Sequence, residues 1–231
     1  DNQSDVRGLP GVWIADHALP ELLGKRKPLL TAKRILSNQT FRDLYKADNL
    51  NIDQRLKITS LTFLFTDLKG STALYERVGD LAAFDLVRAH FRALLEIIAA
   101  EKGAVVKTIG DAVMATFIRP EHALRAGLRM RSAMNELNKT RGTEDLIVKI
   151  GLHEGPCLAV MLNERQDYFG QTVNVAARVQ SLSTNQEIHV TQPVIGAPEV
   201  AAIIERESIK PIRTEAALRG IADKMVVYEI P

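Results

Sequence analysis

The chain has 231 residues, with Lys plus Arg totalling 30 and Asp plus Glu 28, for a formal charge of +2. Charged residues are 25% and apolar ones 46%, the balance of a globular protein with a real core. The near-neutral charge argues against a dedicated nucleic-acid binder, no apolar run of about 18 residues is present to cross a membrane, and Cys157, the single cysteine, excludes an intrachain disulfide and a CxxC zinc site.

Residues 1–56 read as a linker or short helical connector to an upstream region. They carry Pro10, Pro20, Pro28 and the basic cluster Lys25-Arg26-Lys27. The cluster fits a solvated turn, with a membrane-surface contact as the alternative. Weak helical spacing in Leu29–Leu36 and Phe41–Leu50 predicts one or two short helices. The chain begins at Asp1 without an initiator Met, as an excised or processed fragment would, and no signal peptide is visible. A lone thiol fits a reducing compartment, so a cytoplasmic domain is expected. Two glycosylation sequons, at Asn38 and Asn138, are read as chance matches.

Residues 57–231 read as one domain. Ile58–Thr66, rich in β-branched and aromatic residues, predicts a buried strand. Ala73–Glu101 is helical with Phe84, Val87, Phe91, Leu94, Leu95 and Ile98 on one face, and Gly79-Asp80 divides it in two. Ala104–Ile109 and Ala112–Phe117 are short strands joined by a Gly110-Asp111 hairpin turn. Glu121–Leu137 is helical. Leu146–His153 and Cys157–Leu162 form a strand pair around Glu154-Gly155-Pro156. Gly170–Leu182 is a helix, Glu187–Val190 a strand, and the chain ends in a strand at Met225–Ile230. This order predicts an α+β fold, a ferredoxin-like sandwich with helices covering one face of a mainly antiparallel sheet.

Three segments carry chemistry. In Phe65-Thr66-Asp67-Leu68-Lys69-Gly70-Ser71-Thr72 an acid leaves a buried strand just before a helix starts. Free amides at a helix start attract phosphate, and Asp67 is placed to hold a divalent cation beside it. The alternative is a helix cap by Ser71 or Thr72, with Asp67 favouring the positive end. Asp111 is either a turn former or, if its hairpin pairs beside the Ile58 strand, a second carboxylate close to Asp67. Two such acids repel unless cations lie between them, which is the arrangement of two-metal phosphoryl chemistry. Asn174 and Arg178, four apart, share one helix face, either as a structural pair or as a functional one. Of the five histidines none has zinc spacing; His153 reads as a structural hydrogen bonder and Cys157 as core.

Taken together, FTDLKGST at 65–72, KTIGDAVMATF at 107–117, KIGLHEGP at 149–156, DYFGQTVNVAARVQ at 167–180 and LRG at 218–220 resemble the class III nucleotidyl cyclases, in order and spacing over about 57–231. The resemblance implies in-line attack of a ribose 3′-hydroxyl on the α-phosphate, giving a 3′,5′-cyclic monophosphate and pyrophosphate. It implies two ions, Mg²⁺ or Mn²⁺, on Asp67 and Asp111, with the Leu68 carbonyl completing one shell. The amides of Gly70, Ser71 and Thr72 would cradle the β- and γ-phosphates. Lys149 stands where the family often has a triphosphate-binding Arg, keeping the charge without the fork. Arg219 replaces a more usual Lys as a basic triphosphate contact.

Base choice would fall to Lys107 and Asp167. A lysine donor and an aspartate acceptor match adenine N1 and N6, whereas guanine shows the opposite pattern, so ATP is expected over GTP. Asn174 would orient the ribose, and Arg178 would stabilise charge on the α-phosphate in the transition state. The resemblance also implies a homodimer with two composite sites, metal ligands coming from one partner and base-reading and transition-state residues from the other; charge and hydropathy add the expectation of no nucleic-acid partner and no membrane contact by this fragment, although an upstream anchor is compatible with it. The alternatives are a guanylate cyclase and a non-catalytic cyclase-like domain that binds nucleotide or a partner.

Overall fold

The computed structural model describes residues 31–44, 56–162, 165–221 and 223–231. The chain divides into two units, 1–31 and 32–231, and the fold described is that of the second. The basic cluster at 25–27, the three early prolines and most of the Phe41–Leu50 stretch lie outside the described residues.

Among the described residues two short helices come first, α1 (Ala32–Leu36) and α2 (Gln39–Leu44). Asn38 caps the second, its Oδ1 accepting from the Phe41 amide at 2.9 Å. The sheet is built on β1 (Leu56–Leu68), which pairs antiparallel with β3 (Ala112–Phe117) on one side and with β4 (Val148–Leu162) on the other. Adding β2 (Ala104–Ile109), β6 (Ile188–Thr191), β7 (Ile212–Ala216) and β8 (Met225–Ile230), the order is β2-β3-β1-β4-β6-β8-β7. Among the described pairings only β4 with β6 is parallel. The α+β, mainly antiparallel, ferredoxin-like architecture is therefore as expected.

Alternation along β1 sorts the core. Leu64 and Leu68 face a cluster with Val113, Ala115, Phe117, Ile150 and Leu152, covered by α4 (Asp80–Ala100) and α5 (Pro120–Arg141). Phe63 and Phe65 point the other way, into a cluster with Met114, Cys157, Tyr168 and Ala176. The Phe63 and Tyr168 rings meet edge to face at 5.5 Å. Ala176 lies on α6 (Gln171–Gln180), and Leu36 of α1 packs on the same cluster. Helices thus lie on both faces, which corrects the one-face expectation; the small Val-Ala-Ala surface of α6 reads weakly in sequence because it packs by close approach rather than by bulk.

Close approach has a visible cause. A Cβ on Gly151 would come within 2.2 Å of the Gln180 backbone nitrogen, and one on Gly155 within 2.7 Å of Thr172 Oγ1. Both ends of α6 therefore rest against bare β4 backbone.

Three further expectations are corrected. Val148–Leu162 is one strand, not a pair turning at Glu154-Gly155-Pro156. Pro156 falls instead at a bulge, where the β1–β4 register shifts between Ile58↔Cys157 and Leu61↔Gly155; a residue without an N–H is tolerated where ladder bonding is already broken. A strand not expected, β5 (Arg165–Phe169), pairs with the second half of β4. On α4, Phe84 and Leu95 are 57% and 41% exposed, and the buried face is Ala83, Leu86, Val87, His90, Leu94, Ile97 and Ile98. Val87, Leu94 and Ile98 are buried as expected, while Ala83 and His90, not Phe84, take buried rows of the face.

The expected break at Gly79 holds, with α3 (Ser71–Val78) ending there at φ 80°. Asn138 is 7% exposed and bonds both the amide and the carbonyl of Leu146 at 2.9 Å, so it staples a loop rather than presenting a sequon. After β6, α7 (Gln192–Ile195) and α8 (Pro198–Arg206) complete the cover over the first cluster. No helix among the described residues is long and apolar enough to cross a membrane.

Candidate active site

Asp67 sits where β1 leaves the core, and the ladder sets Lys149 of β4 directly opposite it. The Lys149 ammonium lies 3.0 Å from Asp67 Oδ2, with both side chains partly exposed. Leu68 is 2% exposed, which anchors the strand end. Gly70 follows in the left-handed region at φ 68°, and α3 starts at Ser71 with no side-chain cap. The alternative in which Ser71 or Thr72 caps the helix is therefore corrected: neither hydroxyl does so. The first-turn amides of α3 are left to bond something other than a cap.

Asp111 arrives from the neighbouring strand. Gly110, at φ 60°, supplies the positive dihedral that a two-residue hairpin with glycine first requires, and Ile109 pairs with Ala112 across it. Because Phe65 pairs with Met114, Asp67 and Asp111 lie at the same end of adjacent strands. Asp111 Oδ2 is buried without a hydrogen-bond partner among the described residues.

Beneath both acids lies His90, a residue that the sequence reading left without a role. It is fully buried on α4, and its Nδ1 is 3.3 Å from Met134 Sδ. Burial pushes the imidazole below its ordinary pKa, opposed by the Asp111 main chain and by the charges of Asp111 and Asp67. A polar residue in the middle of an apolar helix face was the available signal.

No cluster of three His, Cys, Asp or Glu side chains that could hold a metal is found among the described residues. The donor set is two carboxylates and main-chain oxygen. Such a hard, incomplete set suits Mg²⁺ or Mn²⁺ that keep water and substrate phosphates as remaining ligands. The orphaned Asp111 oxygen fits a cation as its missing partner.

Lys107 and Asp167 meet across the face that carries α6. Lys107 Nζ is 2.5 Å from Asp167 Oδ2, while the Tyr168 amide donates to Asp167 Oδ1 at 2.8 Å. The lysine side chain is 43% exposed and the aspartate 12%. A fixed acceptor therefore stands beside a reachable donor.

On α6, Asn174 is exposed and Arg178 half-buried, one turn apart. Arg178 lies against the turn at Leu218-Arg219-Gly220: a Cβ on Gly220 would come within 2.9 Å of Arg178 Nη1. That nitrogen is buried without a partner among the described residues. Leu218 packs with Val175, Val179 and Val227, pinning the turn to the helix, and Arg219 is exposed beside it. Among the described residues no hydrogen bond or ion pair joins Asn174 or Arg178 to Asp67, Asp111, Lys107 or Asp167. The expected site residues thus form three groups: Asp67, Asp111 and Lys149; Lys107 and Asp167; Asn174, Arg178 and Arg219. His153 bonds Thr191 Oγ1 at 2.7 Å, a structural role as expected.

Residues 54–230 match the family described as adenylate and guanylate cyclase catalytic domain. Residues 1–43 match a family of unknown function (DUF5939). Among curated relatives, Adenylate cyclase 1 of Rhizobium meliloti (strain 1021) is 26% identical over 184 residues, covering 74% of this chain and 27% of its own length. Retinal guanylyl cyclase 1 of Homo sapiens is 30% identical over 148 residues, 59% of this chain and 13% of that protein. The chain spans 27%, 36% and 16% of the lengths of three adenylate cyclase relatives, so it corresponds to a part of each. The crystal structure of the adenylyl cyclase CyaB from P. aeruginosa shares the fold, with a TM-score of 0.68 at 22% identity, over 77% of this chain and 96% of that one.

Proposed function

Because the chain belongs to the adenylate and guanylate cyclase catalytic domain family, we propose that it converts ATP to 3′,5′-cyclic AMP and pyrophosphate in a composite site at a homodimer interface. The carrying observation is the Lys107–Asp167 pair, a donor and an acceptor held 2.5 Å apart with the acceptor oriented by the Tyr168 amide. Adenine offers N1 to a donor and N6–H to an acceptor, and the pair supplies both. Guanine would set its N1–H against the ammonium and its O6 against the carboxylate, a mismatch that a polar site rejects strongly.

Asp67, Asp111 and the Leu68 carbonyl would hold two divalent cations. Bound there, the ions would lower the pKa of the 3′-hydroxyl and offset the triphosphate charge. The remaining work belongs to the chain. The amides at Gly70, Ser71 and Thr72, free of any side-chain cap, would bond the β- and γ-phosphates. Lys149 would swing from Asp67 to the triphosphate, and Arg219 would contact it from the partner chain. Asn174 would hold the ribose so that its 3′-oxygen lies in line with the departing pyrophosphate. Arg178, with a guanidinium nitrogen left without a partner, would bond the α-phosphate oxygens as their charge grows.

In this scheme the aspartates of one copy and the Asn174–Arg178 pair of a second copy complete each site. On this reading residues 57–231 are the catalytic domain, residues 1–56 a connector, and the domain works in the cytoplasm. The test is product formation from ATP and GTP in parallel, with Mn²⁺ and then Mg²⁺, at several protein concentrations. Cyclic AMP with a specific activity that rises with concentration is expected. Cyclic GMP alone would overturn the base reading, and no product from a demonstrated dimer would favour the non-catalytic alternative.

A further inference from the structure

Lys107 and Asp167 sit on strands that are not neighbours. Lys107 is on β2 at one edge of the order β2-β3-β1-β4, and Asp167 is on β5, which among the described residues pairs only with β4. No ladder hydrogen bond can hold these two strands at a fixed separation. What spans them is the segment ahead of the domain. Arg42 of α2 donates from Nη2 to the Val106 carbonyl at 3.2 Å and to the Gln166 carbonyl at 3.0 Å. These two carbonyls belong to the residues immediately before Lys107 and Asp167.

The same segment grips each strand a second time. Gln39 Oε1 accepts from the Val105 amide at 2.7 Å, and Gln39 is itself oriented by an Nε2 bond to Asp43 Oδ1 at 2.7 Å. The Tyr168 hydroxyl donates to the Leu36 carbonyl at 3.2 Å. Residues 105 and 106 on one strand, and 166 and 168 on the other, are therefore all tied to α1 and α2.

We propose that Arg42 is a positioning residue for base selection: one guanidinium nitrogen fixes the spacing between the strands that present Lys107 and Asp167. The inference rests on the reading that this pair contacts the base. A rigid planar guanidinium suits the task, because both bonds leave one nitrogen in a fixed geometry. With Arg42 in place the donor and the acceptor match the spacing of one purine edge. Without it no single side chain bonds both strands except the pair itself, which nucleotide must disturb on binding; Gln39 and the Tyr168 hydroxyl then tie each strand to the α1–α2 segment separately. A residue outside the matched catalytic domain, in the segment that belongs to residues 1–43, thereby sets a property of the nucleotide site.

The test uses the full chain with Arg42→Ala and Arg42→Met, the second keeping an aliphatic stem for packing. Steady-state kinetics with ATP and GTP are run alongside equilibrium displacement of a fluorescent nucleotide by each, which requires no turnover. The expected result is a loss of about tenfold in the ATP-over-GTP ratio of kcat/KM, carried by KM for ATP with kcat nearly unchanged. A role confined to stability would lower both nucleotides equally and leave the ratio alone. That outcome, or failure of both variants to fold by circular dichroism, overturns the proposal. Lys107→Glu is measured beside them. If it leaves the ratio unchanged, the base reading has failed; if it shifts the ratio while the Arg42 variants do not, the positioning role alone has failed.

Discussion

Lys149 stands directly across the ladder from Asp67 and neutralises it through an ion pair of 3.0 Å. The aspartate that would receive a divalent cation is thus already occupied by a monovalent one from its own sheet. On the proposed reading a cation held by Asp67 would compete with the ammonium, which would then be free for the triphosphate. Lys149→Ala is expected to lower the Mn²⁺ concentration giving half-maximal activity and to raise KM for ATP, each severalfold. Metal titration at fixed ATP checks this; unchanged values for both would remove Lys149 from the site.

Asp111 carries the other half of the metal reading, through its buried, unpartnered Oδ2. Asp67→Ala and Asp111→Ala are each expected to reduce turnover by at least about a thousandfold with either metal. Isothermal titration with Mn²⁺ and a non-cyclisable ATP analogue should show the cation sites weakened as well. Substantial activity in both variants would sink the two-metal scheme.

The composite site makes a complementation prediction. Asp67→Ala and Arg178→Ala should each be inactive alone, because each homodimer lacks one group twice. Mixed, they form heterodimers in which one site is intact, and activity should return to roughly a quarter of wild type by random pairing. No recovery, with heterodimers demonstrated by mass spectrometry, would count against a shared site.

How much of this was legible in sequence depends on the scale of the pattern. The hairpin at Gly110-Asp111, the break at Gly79 and the central strand were readable, because each is fixed by residues within a few positions. The Asp67–Asp111 juxtaposition followed once the hairpin was set beside β1. The continuous β4 was not readable, since Gly155 and Pro156 signal a turn locally and only the register with β1 shows a bulge. Strand β5 hid within a polar, charged stretch, Arg165-Gln166-Asp167, that shows no apolar alternation. The role of Arg42 left no trace at all: its partners are main-chain carbonyls 64 and 124 residues away, which impose no residue type.

Gly151 is expected to be intolerant of the smallest substitution. Gly151→Ala places a methyl group 2.2 Å from the Gln180 nitrogen, which is backbone and cannot swing aside. A loss of about 2–4 kcal/mol in stability is expected, read by denaturant unfolding. A neutral result would mean that α6 can lift away from β4 without penalty.

Acid should destabilise the fold through its buried imidazoles. Burial pushes His153 down to about 4, and His189 is also lowered by burial. The unfolded chain therefore binds more protons than the folded one between about pH 6.5 and 4. Stability is fully present above pH 6.5 and falls as pH drops, with His153 alone contributing on the order of 3 kcal/mol over that window. Melting temperatures across pH 4–8 for the wild type and His153→Gln should converge toward the acid end; parallel curves would exclude this histidine.

The bulge at Pro156 has a consequence for how far apart Asp67 and Asp167 lie within one chain. Lys149 and Val160, the β4 residues opposite Asp67 and Asp167, are eleven positions apart, about 36 Å along a straight strand. Yet Asp167 touches Lys107, whose cross-strand partner Met114 faces Phe65, two residues from Asp67. The far half of β4 must therefore fold back over the sheet, carrying β5 with it like a hinged arm. The distance within one chain between Asp67 and the Lys107–Asp167 pair is in that sense set by a bend in one strand, where a proline falls at the interruption of the ladder.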